Sequence, residues 1–540
     1  MLDYKKTKAD VVIIGGGLTG TVAAFELAKA GMRVVLVRDG RGASPHVAGF
    51  NVAGVEQGDN AEIFVQDTLE SAKGQADPLL VERLCNGSIE IPEYLKSIGF
   101  SFDTDGNGIL KARKSLGSSF SRVVGRGNHS GANILSLLDQ ALSAKENVTV
   151  WESTRALRLF QKDGHMAGAL VYEKKTERFC VIEAPCVLLA SGGYAGIFPF
   201  TSNSKDIAGD TVAMALLAGA HATDLEFVQF EPSCAVWPDS IRGKGMITTL
   251  FYEGAILTNA LGERFMLSHS PHGEQVNKDV LARVIAQELR KGRATPHGGV
   301  WFDATRVDGE RLLSAYAPFV ERYRNVGIDL LSQPVEVANA AHTSLGGIKV
   351  NDRCETDIAG LYAAGEALGN LHGANRIGGS AGTETLVFSR LAAAFIQDRE
   401  DACVPEVTDK DVQGVLSANT APALPAERAG QIRTEATEWI GRYLGVEREE
   451  NGLRLAISAL EKLYGEVRAS SFGAENRSIL QKLTLENDLI TALALARSAL
   501  LRDDSVGCHL RLDRELPPRD IYRTDVCFVG DTICVSKIYT

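Results

Sequence analysis

The 540-residue chain has few cysteines for its length and no two of them in CxxC spacing. Nine scattered cysteines are too few for a disulfide framework, and an odd number leaves at least one thiol free, so we expect a reducing compartment, the cytoplasm. Without CxxC pairs, local spacing indicates neither a zinc site nor a cysteine-bound iron–sulfur cluster. The sequence therefore predicts no metal site, and one-electron transfer through a cluster would need a partner.

Long apolar runs and an excess of basic residues are missing too. The uncharged stretch 184–204 is interrupted by Gly, Pro, Ser and Asn, so no segment provides the ~20 apolar residues that span a bilayer. Fifty-seven Lys and Arg against 68 Asp and Glu give a net charge of −11 without any Lys/Arg-rich run, which disfavours nucleic acid as a partner. What remains is the composition of an ordinary enzyme with no membrane insertion, long enough for several domains.

A glycine-rich turn follows the first apolar run. Residues 10–14 form a short β-branched strand, the helical pattern TVAAFELAKAG stops at Gly31, and 32–37 supply a second strand. Between the first strand and the helix, Gly15, Gly17 and Gly20 fill the three positions of GxGxxG. Such glycines allow the tight turn, the close approach of a pyrophosphate, and helix–strand packing. We therefore expect a nucleotide at the N-terminus of this helix.

Two residues after the second strand bear on the ribose of that nucleotide. Asp39 lies 24 residues after Gly15 and is the candidate for binding the ribose hydroxyls. Arg38, which precedes it, either approaches a 2′-phosphate or is a solvated side chain, and we favour the second interpretation.

Later segments repeat the pattern of an apolar strand that runs into glycines. One is CVLLASGGY at 186–194, which contains Gly192 and Gly193, and the other is IAGLYAAGEA at 358–367. Parallel strands of one sheet can be far apart in sequence, so these segments predict a nucleotide-binding domain split around an insertion. The predicted parts are a first nucleotide-binding part at 1–231, a cap at 232–340, a second nucleotide-binding part at 341–404, a helical domain at 405–505 and a tail at 506–540, which we expect to pair as a hairpin.

Several longer segments form a recognisable set. They are VVIIGGGLTG, LLASGGY, TVAMALLAGA, DLEFVQFEP, NALGERFM, GGVWFDAT, AAHTSLGGIKVN at 340–351 and GLYAAGEALGNLHGANRIGG at 360–379. In these segments the chain resembles the flavoprotein family of fumarate reductase, succinate dehydrogenase and L-aspartate oxidase, almost from end to end. The resemblance implies an α/β fold with a split FAD-binding Rossmann-type domain, an inserted α+β cap and a C-terminal helical domain. It also implies FAD as cofactor, with hydride moving between flavin N5 and a substrate carbon.

The resemblance also assigns roles to single residues. Arg376, in HGANR, matches the family's substrate-binding arginine, and a planar guanidinium suits a carboxylate because it binds both oxygens. His342, in HTSLGG, matches the substrate-binding histidine, and Glu366, in AAGEA, matches the acid that contacts FAD. The alternatives are a structural salt bridge for Arg376 and a core position for His342. His372 has equal claims to binding and to packing.

Four departures from the family's pattern change the expected chemistry. Lys278, in NKDVLAR, stands where the family has a proton-donating arginine, and Glu231, in VQFEPS, stands where it has a substrate-binding histidine. The family's Thr-Glu pair falls near Ile247 and Thr248, and its flavin-contacting Asn-Ser becomes Ser380 followed by alanine. A carboxylate repels another carboxylate unless it is protonated or paired with a cation, so plain fumarate is disfavoured as substrate.

The new residues leave alternatives open. Glu231 either binds an ammonium, amide or hydroxyl group of the substrate, or serves as a helix cap or salt-bridge partner. Lys278 donates the proton if burial and positive neighbours lower its pKa. Other cap residues could replace it in that role: Tyr252, Arg264, His269 and His272.

Membrane-bound members of the family attach FAD covalently through a histidine in SHTVAAQGG. Here SPHVAGFN places His46 one position from that register. His46 therefore either forms a covalent bond to the flavin or lines a non-covalent flavin site.

Together these features predict an FAD-dependent oxidoreductase that transfers hydride between flavin N5 and a small carboxylate-bearing substrate, acting on C–C or C=C bonds. One alternative is an L-aspartate-oxidase-like enzyme acting on a C–N bond. Another is a catalytically altered flavin subunit for electron transfer or scaffolding in a larger complex. Without a cluster motif of its own, the chain would pass electrons to an iron–sulfur or other redox partner, to diffusible flavin or to oxygen.

Overall fold

The computed structural model describes residues 4–399, 405–416, 424–471, 473, 475–514 and 520–539. Its α-helices are α1 (Leu18–Lys29), α2 (Ala61–Ser71), α3 (Pro78–Ser88), α4 (Ile91–Ser97), α5 (Ser130–Ser143), α6 (Asp210–Leu217), α7 (Lys278–Arg290), α8 (Gly309–Ala315), α9 (Ala317–Arg324), α10 (Ser380–Gln397), α11 (Asp409–Leu416), α12 (Ala426–Tyr443), α13 (Glu450–Ala469) and α14 (Asn476–Leu501).

The strands are β1 (Tyr4–Lys8), β2 (Val11–Ile14), β3 (Val34–Arg38), β4 (Phe50–Asn51), β5 (Val123–Val124), β6 (Val148–Glu152), β7 (Thr154–Lys162), β8 (His165–Glu173), β9 (Arg178–Glu183), β10 (Cys186–Leu189), β11 (Ala222–Thr223), β12 (Val228–Ala235), β13 (Ile256–Thr258), β14 (Val300–Asp303), β15 (Val335–Ser344), β16 (Gly347–Ile348), β17 (Leu361–Ala363), β18 (Glu447–Arg448), β19 (Leu510–Arg511), β20 (Tyr522–Val529) and β21 (Thr532–Tyr539).

A five-stranded parallel sheet forms the centre of the nucleotide-binding domain, with strand order β17-β10-β2-β3-β6. Strands β2, β10 and β17 are buried along their whole length, as expected for a parallel sheet covered on both faces. The predicted split is confirmed, because β17 pairs with β10 although more than 170 residues separate Leu189 from Leu361. Helix α1 connects β2 to β3 and packs against α10 and α5.

The cap has its own sheet and its own apolar core. Its antiparallel strands follow the order β12-β15-β14-β13, and helices α7, α8 and α9 accompany them. The core centres on fully buried apolar side chains, among them Leu250, Leu257, Leu281, Ile285 and Phe302. The chain enters the cap through β12 and returns through β15, and these two strands pair with each other. The predicted limits of the cap at 232 and 340 therefore fall within one two-stranded ribbon.

The segment DGERLLSAYAPFVERYR is a broken helix rather than the single helical run that its pattern predicts. Helix α8 ends at Ala315 and α9 begins at Ala317, with Pro318 in the first turn of α9. Proline has no backbone N–H to continue the hydrogen-bond ladder, so the ladder of α8 stops before it.

Helices α12, α13 and α14 form the C-terminal helical region, and α14 also packs against α6 of the nucleotide-binding domain. The hairpin predicted for the tail is confirmed as β20 and β21, whose pairing runs from Tyr522 with Tyr539 to Val529 with Thr532. Strand β20 also pairs with β11, so the tail joins the nucleotide-binding domain. The predicted limit at residue 404 lies outside the described residues. None of the described helices combines the length and the hydropathy that a transmembrane span requires.

Candidate functional site

The glycine turn after β2 is packed too tightly for side chains. Gly15 has φ +124°, and a Cβ atom there would lie 2.2 Å from the backbone oxygen of Ala190. A Cβ atom at Gly20 would lie 1.9 Å from the backbone oxygen of Gly15, and one at Gly17 would lie 2.7 Å from Ser44 Oγ. The turn can therefore lie against the neighbouring strand and open onto the N-terminus of α1 only if these positions remain glycine.

This turn borders a long cleft of about 1090 Å³ including its open mouth. The lining combines the glycine turn and the ends of β3 and β10 with residues from α6 and α10. Of the predicted cofactor residues it includes Gly15, Gly17, Asp39, Gly192 and Glu366.

Asp39 lies in the cleft wall with two basic neighbours. Its Oδ2 accepts a hydrogen bond from Lys174 Nζ at 2.6 Å and lies 3.9 Å from Arg155 Nη1. Arg38 is not a solvated side chain, so that interpretation is wrong: its guanidinium pairs with Asp139 at 2.9 Å and with Glu152. Because Arg38 does not line the cleft, it is also badly placed for a ribose 2′-phosphate.

The second glycine turn lies beside Glu366. A Cβ atom at Gly193 would lie 1.6 Å from Ser344 Oγ and 2.8 Å from Glu366 Oε1. Glu366 accepts hydrogen bonds from the backbone N–H of Ser344 at 3.0 Å and from its hydroxyl at 3.2 Å. Burial nevertheless raises the pKa of Glu366 to about 7. This acid is therefore partly protonated near neutral pH and can donate a hydrogen bond as well as accept one.

Two other predicted cofactor residues occupy different positions. Ser380 begins α10, is fully buried, and accepts a hydrogen bond from Asn51 Nδ2 at 2.9 Å, while its neighbour Ala381 lines the cleft. His46 is exposed at the end of a short 3₁₀ helix, and it does not line the cleft although Ser44 and Val47 do. The structure thus does not bring His46 into the cleft wall.

Arg376 is a buried cation with free donors. Only 6% of the residue is exposed, its Nη1 donates to the backbone oxygen of Ile377 at 3.1 Å, and its Nε has no partner. Burial lowers the pKa of Arg376, against the charges of Glu384, Glu366 and Glu231, but an arginine remains protonated in proteins. No carboxylate among the described residues forms an ion pair with it, so the structural salt bridge considered above is not observed. A buried guanidinium with unfilled donors is suited to bind an anion.

His342 lies close enough to Arg376 for the guanidinium charge to act on its imidazole. Burial together with the charges of Lys278 and Arg376 lowers the pKa of His342 to about 3, although the charge of Glu231 acts to raise it. The imidazole is therefore neutral at working pH. Its Nδ1 is hydrogen-bonded to Ser202 Oγ at 2.8 Å, which leaves the other ring nitrogen available.

Lys278 and Glu231 form a buried ion pair, in which Lys278 Nζ donates to Glu231 Oε2. Lys278 is the first residue of α7, Glu231 lies on β12, and Ser233 Oγ donates to the other carboxylate oxygen at 3.1 Å. Burial acts to raise the pKa of Glu231, but the charge of Lys278 and the hydrogen bonds from Lys278 and Ser233 outweigh it, so the pKa falls below its ordinary value. Of the alternatives for Glu231, the structure thus shows the salt-bridge partner.

Gln229 and Ser202 are the residues of this region that the sequence did not indicate. Gln229 Nε2 donates to the backbone oxygen of Arg376 at 2.9 Å and to Asn375 Oδ1 at 3.2 Å, so β12 holds the arginine's backbone in place. Ser202 fixes the ring of His342. Gln229 lies in the family segment DLEFVQFEP but had no role assigned there, and Ser202 lies in none of the family segments.

The other cap residues considered for proton transfer lie elsewhere. Tyr252 is 41% exposed, and His269 and His272 are exposed as well. Arg264 forms an ion pair with Glu274 at 2.6 Å. The structure does not bring these side chains into the buried group around Arg376.

Thr248, near the position of the family's Thr-Glu pair, and His372 are both buried. Thr248 is buried at the start of a short 3₁₀ helix, and Ile247 precedes it. His372 pairs through Nε2 with Glu384, a residue of the cleft wall, and its Nδ1 has no partner.

Comparisons with known proteins show the family to which the chain belongs. Residues 10–381 match the FAD binding domain family, and residues 433–538 match the fumarate reductase flavoprotein C-terminal family. The chain belongs to the flavoprotein family of fumarate reductase, succinate dehydrogenase and L-aspartate oxidase. Its cofactor is FAD, and it is an FAD-dependent oxidoreductase. The packed glycine turns and the cleft fit that cofactor.

The similarity to two relatives extends over nearly the whole chain. The chain is 32% identical over 520 residues to a fumarate reductase (CoM/CoB) subunit of Methanothermobacter marburgensis, covering 94% of both proteins. It is 32% identical over 507 residues to the L-aspartate oxidase of Saccharolobus solfataricus, covering 93% of this chain and 96% of the relative.

Among solved structures, the E. coli quinol fumarate reductase FrdA superposes with a TM-score of 0.90 at 25% identity, covering 99% of this chain and 97% of FrdA. Mycobacterium smegmatis Sdh1 superposes with a TM-score of 0.87 at 27% identity, covering 99% of this chain and 94% of Sdh1.

Proposed function

We propose that this flavoprotein transfers hydride to or from a carbon of a small carboxylate-bearing substrate, reducing a C=C bond or oxidising a C–C bond. The observation that carries the proposal is the buried guanidinium of Arg376, which has no carboxylate partner in the described chain and a donor with no partner at all. Burying such a charge without a counterion is costly unless a ligand supplies one. A substrate carboxylate is the anion that the family's chemistry offers.

Bound FAD supplies a hydride acceptor or donor at N5. The side chains around it supply the rest. Arg376 binds the substrate carboxylate and fixes which carbon faces the flavin. His342 stays neutral and adds a directional hydrogen bond, because Ser202 fixes its ring.

Lys278 is the proposed proton-transfer group. It is the ammonium of a buried ion pair next to His342, so it already holds a proton when the substrate enters. In the reductive direction it gives that proton to the carbon next to the one that receives hydride. In the oxidative direction the ammonium first releases its proton to solvent, and the neutral amine then takes a proton from that carbon.

Oxidation of a C–N bond is the second candidate activity. Identity to the L-aspartate oxidase of Saccharolobus solfataricus is 32%, the same value as to the fumarate reductase protein of Methanothermobacter marburgensis. The ion pair argues against an amino-acid substrate, because Lys278 already occupies the carboxylate of Glu231 that would receive a substrate ammonium.

We further propose an iron–sulfur or other redox partner as the electron carrier. The Methanothermobacter relative is named as one subunit of its enzyme, and metal-ligating groups do not cluster within the described residues. We also propose a reducing compartment, the cytoplasm, because the cysteines that the structure describes are free thiols.

The test is anaerobic titration of the purified yellow protein, followed at the flavin absorption band. The oxidised protein is mixed with saturated carboxylic acids and amino acids, and the dithionite-reduced protein with unsaturated acids. We expect acids without an amino group to change the flavin's redox state. Bleaching by amino acids alone would favour the C–N activity, and a flavin that reacts with no acid would contradict both.

A further inference from the structure

We propose that Glu231 restricts the substrate to a monocarboxylate by neutralising Lys278, so that the site has a single cation free for an anionic group. This rests on the function proposed above and narrows its substrate class. A four-carbon enoate such as crotonate then binds, whereas the equally long fumarate, with two carboxylates, is rejected.

The charges around His342 support this assignment. The groups that act on the imidazole are Glu231, Lys278 and Arg376, which together carry one negative and two positive charges. The ion pair between Lys278 and Glu231 cancels one positive charge. These three groups carry a net charge of +1; of the two further acids that act on Arg376, Glu384 pairs with His372 and Glu366 is partly protonated near neutral pH. The group therefore suits one carboxylate, and a second carboxylate would remain without a counterion in a buried site.

A second carboxylate also could not take Lys278 from its partner without cost. Glu231 is buried and the side chain of Lys278 is only 12% exposed, and the second oxygen of Glu231 is held by Ser233 Oγ at 3.1 Å. The carboxylate of Glu231 stays ionised because the charge of Lys278 and the hydrogen bonds from Lys278 and Ser233 hold its pKa low, so it repels a second anion at close range.

Two other arginines in this part of the fold, Arg283 and Arg322, do not supply a second cation for a substrate carboxylate. Arg283 Nε donates to the backbone oxygen of Gly507 at 2.6 Å, and Arg322 Nη1 donates to that of Gly245 at 2.9 Å. Burial lowers the pKa of Arg322, and the groups that act against this are Tyr323 and Cys234. Neither arginine is among the groups that act on His342.

The experiment compares acids of equal length on the FAD-loaded protein. Dissociation constants for butanoate and succinate come from the perturbation of the flavin spectrum, and kcat/KM for crotonate and fumarate comes from reoxidation of the reduced flavin. In the wild type we expect the monocarboxylates to be preferred by roughly tenfold or more, the scale of one charge-assisted contact. This comparison tests the proposal without any variant.

The variant Glu231→Gln keeps the shape of the side chain and releases the charge of Lys278. We expect its ratio of dicarboxylate to monocarboxylate affinity to rise by roughly ten- to hundredfold. The double variant Glu231→Gln with Lys278→Met should lose that gain, because the released cation is gone. Glu288→Gln is the matched control. Glu288 is a buried carboxylate of α7, the helix that begins at Lys278, and it pairs with Lys291. Its variant should keep the wild-type ratio of dicarboxylate to monocarboxylate affinity.

Three results are decisive against the proposal. The first is a wild type that binds succinate as tightly as butanoate. The second is an unchanged ratio of dicarboxylate to monocarboxylate affinity in Glu231→Gln, and the third is a rise in that ratio that persists in the double variant. Each would overturn the proposal while leaving the proposed hydride transfer intact. A protein that holds FAD but responds to neither class of acid would instead contradict the proposed function itself.

Discussion

Lys278, at the start of a cap helix, forms a buried ion pair with Glu231, on the strand through which the chain enters the cap. A lysine at a helix N-terminus meets the unfavourable end of the helix dipole, so the acidic partner offsets both that dipole and the loss of water. The pair therefore joins helix α7 to strand β12 and fixes the charge next to His342.

Breaking this pair should cost stability. Lys278→Met leaves the carboxylate of Glu231 buried without a counterion, and we expect the free energy of unfolding to fall by about 3–5 kcal/mol. Denaturant unfolding of the FAD-loaded protein measures this loss, and adding Glu231→Gln should restore most of it. Lys291→Met removes one cation from the buried carboxylate of Glu288, which keeps Arg293 Nη1 at 3.4 Å, so it should cost less than about 1 kcal/mol. Equal losses in the two single variants would show that loss of the counterion of Glu231 does not explain the cost of Lys278→Met.

Removing the anion-binding guanidinium should impair catalysis more than folding. For Arg376→Ala we expect kcat/KM with the best acid to fall by about a hundredfold, corresponding to the ~1.5–3 kcal/mol of a charge-assisted hydrogen bond. Arg376→Lys should recover only part of this, because an ammonium cannot bind both carboxylate oxygens. Flavin content is measured in parallel, and Arg390→Ala, which removes a surface ion pair with Glu90, is the control. Wild-type kinetics in Arg376→Ala would remove the anchor from the proposed mechanism.

The glycine turn should be intolerant of a single methyl group. In Gly20→Ala the new Cβ atom would lie 1.9 Å from the backbone oxygen of Gly15, so the turn must shift and FAD affinity should be lost. The ratio of flavin to protein absorbance after gel filtration measures the loss. Gly465→Ala lies in α13 with open space around the new atom, so it should keep full flavin and gain up to about 1 kcal/mol of stability. Full flavin content in Gly20→Ala would contradict the role of the turn.

The neutral state of His342 predicts a pH dependence of stability. The pKa of His342 is about 3 in the fold, against about 6.5 when unfolded, so between these values only the unfolded chain takes up the proton. Stability from this group is therefore complete above pH 6.5 and is lost as pH falls toward 3. Relative to His342→Gln, the wild type should lose about 1.5 kcal/mol between pH 6.5 and 5, measured by denaturant unfolding at each pH. Parallel curves for the two proteins would show that the imidazole is not held neutral.

Local pattern was sufficient to predict the nucleotide-binding half of the fold. The strand, glycine turn and helix at 11–29 follow from apolar period and glycine spacing, and the C-terminal hairpin follows from β-branched residues on either side of Gly530 and Asp531. Such features depend on neighbours in sequence, so one sequence contains the information.

The electrostatics of the site could not be predicted in this way. Glu231 and Lys278 are 47 residues apart, and Ser202 and His342 are 140 apart, so their contacts depend on the tertiary arrangement. The prediction that Arg38 is solvated was wrong for the same reason, because its partners Asp139 and Glu152 lie on a helix and a strand that are distant in sequence. The family resemblance placed Arg376 and His342 in one site, but only the structure shows which charges are already neutralised there.

The ribbon of β12 and β15 has a consequence for how such a protein can diversify. Ala235 lies opposite Val337 across this ribbon, so the chain leaves and re-enters the nucleotide-binding domain through adjacent residues. Everything between them is, in topology, the loop of one very long hairpin. A lid attached in this way can be exchanged, enlarged or reshaped without redirecting any strand of the parallel sheet beneath it. Substrate specificity can then diverge while the FAD-binding cleft is unchanged.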